Sequence, residues 1–115
     1  SGILMLDHRG RIMYANRRGQ DVLGYTEEQL GEMHHDDDAF APTDAEGNPI
    51  AADELPFSLI RRDGQPVSEF AMEVTTGPEA GEPGSRIRVR MNGSPIYDEH
   101  GEVEGAVLNM RPDNY

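Results

Sequence analysis

The sequence contains no cysteine, no tryptophan and no lysine. Without cysteine there is no disulfide, no thiolate metal site and no cysteine nucleophile, so the redox compartment is not encoded. Nowhere do 18 or more apolar residues run together, so no membrane-spanning helix is expected. All ten basic residues are Arg, set against 22 acidic ones, for a formal charge of −12. Such a field repels phosphate backbones and anionic lipid, which argues against nucleic acid or direct membrane contact. The acidity fits either an Arg-favouring, GC-rich genome or the salt-adapted cytoplasm of a halophile, where screening removes carboxylate repulsion. Under the halophile reading the melting temperature climbs from low to molar potassium chloride, and a flat or falling trend excludes it. Cytoplasmic is the default location. The 115 residues suffice for one domain over 1–115. They open inside a strand-like run, which predicts further sequence upstream.

Gly2–Leu6 and Arg11–Tyr14 read as strands joined by the turn Asp7-His-Arg-Gly10. Ala15–Leu23 reads as a helix, with Asn16 as N-cap and Gly24 as stop. Thr26 followed three residues later by Gln29 is a capping box opening a second short helix, closed by Gly31. The polar stretch His34–Pro49 is a loop with one helical turn, and Ala52–Arg62 a longer helix admitting Pro56 only in its first turn. Beyond it the period drops to two. Phe70, Met72 and Val74 alternate with Glu69, Ala71 and Glu73; Ile87, Val89 and Met91 alternate with Arg86, Arg88 and Arg90. The loop Thr76–Ser85 joins these strands, so Met72 should face Val89 and Glu73 should face Arg88. Val103–Met110 is the last strand, stopped by Pro112. Two strands, several helices and three strands predict an α+β fold: a five-stranded antiparallel sheet with short helices over one face.

Three features could carry chemistry. The run His34-His-Asp-Asp-Asp38 holds metal-ligand types, but adjacent residues rarely converge on one ion, and a solvated loop is the expectation. Tyr14 has no accompanying nucleophile, base and orienting group, and no phosphate-binding glycine loop is present, so an enzyme is not expected. The Arg86, Arg88, Arg90 stripe has no interleaved aromatics for nucleic acid and reads as cross-strand pairing with Glu69 and Glu73. It could also dock a flanking helix or a second subunit.

In order along the chain stand Ile3…Asp7-x-x-Gly10-x-Ile12…Ala15-Asn16, then Leu23-Gly-Tyr25-Thr-x-Glu-x-Leu30-Gly31. Arg62-Asp-Gly64-x-Pro66-Val67 and Pro95-Ile-x-Asp98-x-x-Gly101-x-Val103-x-Gly105 follow. This set, spread over nearly the whole chain, resembles the PAS domain, the sensory box of signal-transduction proteins such as histidine kinases. Two departures stand out. The loop His34–Pro49 is longer than in the tightest members, and the tail reads Arg111-Pro-Asp-Asn-Tyr115 where the family often has Arg-Asp-Ile-Thr. Pro112 takes the Asp position, which leaves the usual signal-exit contact open.

The resemblance implies a sensory relay passing a change to a covalently attached output domain, commonly as a homodimer. Flavin–thiol chemistry needs a Cys, and haem-binding members use a His on the long helix; this chain has neither, so covalent flavin and haem are not expected. A small planar aromatic or aliphatic ligand, or none, remains. Alternation and the family register turn Leu4, Leu6, Ile12, Tyr14, Met72, Val89, Met91, Leu108 and Met110 inward, with Phe57 and Ile60 from the long helix. These eleven are the expected ligand-binding residues, the methionines giving an adaptable wall. The same residues could instead fill the core of a ligand-free dimerisation module.

Overall fold

Asp7 builds the first turn: its Oδ1 accepts from Arg9 N at 2.8 Å and Arg11 N at 3.0 Å, while Gly10 N donates to Asp7 O at 3.0 Å. Gly10 sits at φ +82°, a conformation that glycine takes without steric penalty. The turn joins β1 (Gly2–Asp7) to β2 (Ile12–Ala15). The computed structural model describes residues 1–113; Asn114 and Tyr115 of the quoted tail lie outside the described residues.

The register slips between Met5 and Leu6: Met5 faces Tyr14, whereas Leu6 faces Ile12. One extra residue on β2 therefore breaks the alternation. Ile12 and Ala15 point into the core, and Tyr14 is 44% exposed on the outer face. The inward assignment of Tyr14 is thus corrected.

Asn16 then does two jobs. Its Oδ1 accepts from Gly19 N at 2.8 Å, capping α1 (Arg17–Leu23), and from Ile3 N at 2.8 Å, tying that helix to β1. Gly24 ends α1 at φ 78°. The Thr26–Gln29 capping box is formed and opens α2 (Glu27–Leu30). The loop beyond contains a 3-10 turn over Asp38–Phe40.

The expected helix Ala52–Arg62 is divided. A 3-10 turn spans Ala52–Glu54, Leu55 is extended at φ −74°, ψ 156°, and α3 runs Pro56–Asp63. The proline ring disfavours helical geometry at the residue before it, so Pro56 starts a helix instead of sitting within one. Phe57 and Ile60 are the buried face of α3, and Gly64 closes it at φ 65°.

The sheet is completed by β3 (Val67–Thr75), β4 (Arg86–Tyr97) and β5 (Val103–Pro112) in the order β2-β1-β5-β4-β3. Met72 faces Val89 and Glu73 faces Arg88, as the alternation requires. Pro112 does not stand beyond β5 but is its last residue, opposite Val89. The first and last strands of the chain, β1 and β5, pair inside the sheet from Gly2–Met110 to Asp7–Gly105.

The arginine stripe pairs differently from expectation. Glu73 lies 3.2 Å from Arg86 and 3.9 Å from Arg88, but Glu69 binds Arg111 at 2.8 Å, and Arg90 binds Asp113 at 2.7 Å. A bulge between Val67 and Phe70 causes this. It puts Glu69 at φ 51°, held by a hydrogen bond from its N to Asn92 Oδ1 at 2.9 Å. Hydrogen bonds from Arg111, then Asn92, hold the Glu69 carboxyl down to about 2 from a usual 4.5. A depressed carboxylate stabilises fully above its unfolded value and loses that contribution as pH falls through its folded value. This window runs from 4.5 down to about 2. In Arg111→Gln the carboxyl is expected to titrate back toward its usual range, read from the Glu69 Cδ shift by NMR; an unmoved midpoint refutes the assignment.

Candidate functional site

Between the sheet and α3, walled on the third side by the loop carrying Phe40 and Pro42, lies a small apolar cavity of about 40 Å³. That is room for no more than about three water molecules, far below the roughly 300–1,000 Å³ of drug-sized ligand sites.

Seven of the eleven residues expected from sequence line it: Leu4, Leu6, Ile12, Phe57, Met72, Met91 and Leu108. Ile60, Val89 and Met110 are fully buried but pack elsewhere in the core. Ile60 approaches the sheet at Gly93, where an added Cβ would meet its Cδ1 at 2.7 Å. Tyr14 lies on the opposite face of the sheet. Sequence reasoning missed Leu23, His35, Phe40, Pro42, Leu55, Pro56 and Val74. Leu55 and Val74 carried a periodic signal; Phe40, Pro42 and His35 sit in a polar loop that gave none.

The loop wall is fastened by one side chain. Arg86 Nη1 donates to Ala41 O and to Thr75 Oγ1, each at 2.8 Å, and Nη2 donates to Thr43 Oγ1 at 2.8 Å. Thr43 also exchanges backbone hydrogen bonds with Glu73, both 2.9 Å, so the loop continues the sheet beyond β3. Phe40 stacks edge-on against Tyr25, centroids 5.9 Å apart.

His35 is the polar member of the lining. Its backbone N donates to Gly10 O at 2.7 Å, and Ile12 N donates to Met33 O at 3.1 Å, so the segment is pinned to the hairpin turn from both sides. The ring then lies under Gly10 and against Phe57, with centroids 4.9 Å apart at 52°. A Cβ on Gly10 would come within 2.4 Å of His35 Cδ2. His35 Nδ1 is sealed from solvent and has no hydrogen-bond partner among the described residues, an arrangement that costs about 1–3 kcal/mol.

Burial pushes the His35 pKa below its ordinary 6.5; Asp36 opposes the shift and His34 adds to it. The unfolded chain therefore takes up the proton first. The stability contributed by neutral His35 is whole above 6.5 and is lost as pH falls through the lower folded value. Urea unfolding between about pH 7 and about pH 5 should show a falling midpoint that flattens in His35→Phe. An unchanged slope in the variant would assign the effect to other groups.

Among the described residues, no group of three or more His, Asp or Glu is placed to hold a metal ion. In the run from His34 to Asp38, His34 is exposed while His35 turns inward. No described helix is long and apolar enough to cross a membrane.

No curated protein sequence matches the chain. Solved structures do. The chain is similar to a PAS domain from a two-component sensor histidine kinase, with 17% identity, TM-score 0.66, and coverage of 97% of this chain and 84% of that one. It is similar to the PAS domain of nitrogen regulation protein NR(II) from Vibrio parahaemolyticus at 16% identity and TM-score 0.67, covering 97% and 88%. A Drosophila melanogaster Cycle PAS-B variant with bound glycerol matches at 12% identity and TM-score 0.73, covering 98% and 100%. At these identities the likeness is one of fold. The family model described as the PAS fold matches residues 1–112. Its reach over nearly all of the sequence, on a sheet and helices of that form, makes this chain a member of the PAS family, whose domains are typically sensory and regulatory.

Proposed function

We propose that this chain is the sensory domain of a longer cytoplasmic signalling protein, a histidine kinase or related transducer. It takes a small apolar or aromatic ligand between sheet and helices and relays the change to an attached output domain. The observation that carries the reading is the cavity itself, an apolar space at the contact of β1, β5, β4 and α3. Two of its walls are Met72 and Met91, whose unbranched thioether chains can repack around a guest. Larger ligands enter only if those side chains and the Phe40–Pro42 loop give way. Leu108 lines the cavity and Met110 follows on the same face of β5, so a guest pressing on Leu108 strains the strand that leads out of the domain. Haem finds no histidine on α3, and a flavin–thiol adduct finds no cysteine.

A second reading is favoured by the small volume: a filled, ligand-free core in a module that joins two subunits. Its interface would be the outer sheet face, where Met5, Met13 and Tyr14 are exposed. Native mass spectrometry with a thermal-shift screen of small aromatic and aliphatic compounds separates the two. Bound mass with a raised melting temperature supports sensing. A dimer without any binder supports the joining role and overturns ligand sensing.

A further inference from the structure

We propose that the ligand taken by this cavity is an uncharged, mainly apolar molecule with one hydroxyl or N–H donor, and that His35 Nδ1 accepts its hydrogen bond. The inference rests on the sensing reading above and adds the chemistry of the guest.

Among the described side chains lining the cavity, His35 alone bears a nitrogen or oxygen; the others are aliphatic, aromatic or thioether. Its Nδ1 is buried and unpartnered among the described residues. A water there would find one polar side chain among the described lining residues, short of the two to four polar partners that a buried water takes. The apolar walls in turn reject a charged guest, whose desolvation nothing would offset. What complements the site is therefore an apolar body with a single polar point.

The direction of the hydrogen bond follows from the two ring nitrogens. Nδ1 is sealed and has no partner among the described residues, so a proton there would be a buried donor with no acceptor. With the proton on Nε2, Nδ1 presents a bare lone pair and the guest must donate. Burial supports this by keeping the ring neutral.

The ring is also held for the purpose. Backbone hydrogen bonds fix His35 against the hairpin turn, Phe57 packs at a tilt on one side, and the missing Cβ of Gly10 leaves the space that the ring occupies. A preformed acceptor loses little freedom on binding.

The test compares phenol with benzene, the same ring with and without the donor, titrated into the 15N-labelled protein. Phenol is expected to bind about tenfold tighter than benzene, with the His35 Nδ1 resonance moving only for phenol. In His35→Phe, which keeps a ring in the same space, both should bind alike. Equal affinities in the wild-type protein, or an unmoved Nδ1, overturn the proposal and leave ligand sensing standing. A phenol preference that survives His35→Phe does the same. If neither compound shifts Phe57, Met72 or Met91, the sensing reading falls and takes this inference with it. The wild-type comparison is decisive even if the variant folds poorly.

Discussion

Phe57→Ala lowers unfolding stability by about 3–5 kcal/mol and, in the same stroke, enlarges the cavity so that benzene binds more tightly than in the wild type. The ring is 2% exposed, lines the cavity and packs on His35. Its removal forfeits apolar transfer energy and leaves a void that neighbours on a sheet and a fixed helix refill only in part. For a domain whose total stability is about 5–15 kcal/mol, the variant remains folded but marginal. The enlarged space adjoins the existing 40 Å³. Benzene at about a hundredfold excess over its Kd should return about 2.7 kcal/mol. Urea unfolding with and without benzene measures both effects. A loss under about 1 kcal/mol, or no recovery with benzene, would mean that the walls collapse onto the site. Tyr14→Ala is the comparison: with its ring 44% exposed on the other sheet face, the loss should stay within about 0.5 kcal/mol.

Gly10→Ala should be the more damaging of two glycine changes that look alike in sequence. Gly10 and Gly101 both sit in turns, at φ +82° and +79°. An alanine in that region costs about 1–2 kcal/mol from backbone sterics alone. At Gly101 no atom of the described residues lies within 4 Å of an added Cβ, so the penalty ends there. At Gly10 the Cβ would meet His35 Cδ2 at 2.4 Å and Phe57 at 3.0 Å, forcing the ring pair apart. A total of about 2–3 kcal/mol is expected, together with ring-proton shifts at His35 that Gly101→Ala does not produce. Matching losses at the two sites would show that the His35–Phe57 pair yields freely.

Local chemistry made much of this fold legible in the sequence. The capping box at Thr26, the Asn16 cap and the turn at Asp7 are short-range devices whose residues declare themselves. The register of β3 against β4 followed from matching an apolar and a charged face, because a one-residue slip would have turned every side chain over. The failures came where one residue changes phase or where contact is long-range. Met13 is an additional residue on β2, so counting by two sent Tyr14 to the wrong side. The second bulge, at Glu69, exchanged the expected arginine partners for Arg111. Pro56 cut a helix whose apolar periodicity had run through it. His35 was illegible for a different reason. Surrounded by His and Asp it reads as solvent-facing, and only its backbone hydrogen bond to Gly10, 25 positions upstream, turns it inward. Cavity volume, finally, depends on side-chain rotamers across eight segments and leaves no mark in any one of them.

The pairing of β1 with β5 has a mechanical consequence. The two strands are antiparallel neighbours at the centre of the sheet, and Gly2 lies opposite Met110. Segments attached before and after the domain therefore leave from the same end, side by side. Tension that draws them apart loads the rungs one at a time, beginning at Gly2–Met110, so this seam opens like a zip instead of resisting as a sheared patch. The third rung is Leu4–Leu108, and both residues line the cavity. Force applied at the ends of the domain and occupancy of its interior thus act on the same seam, two rungs in from its edge.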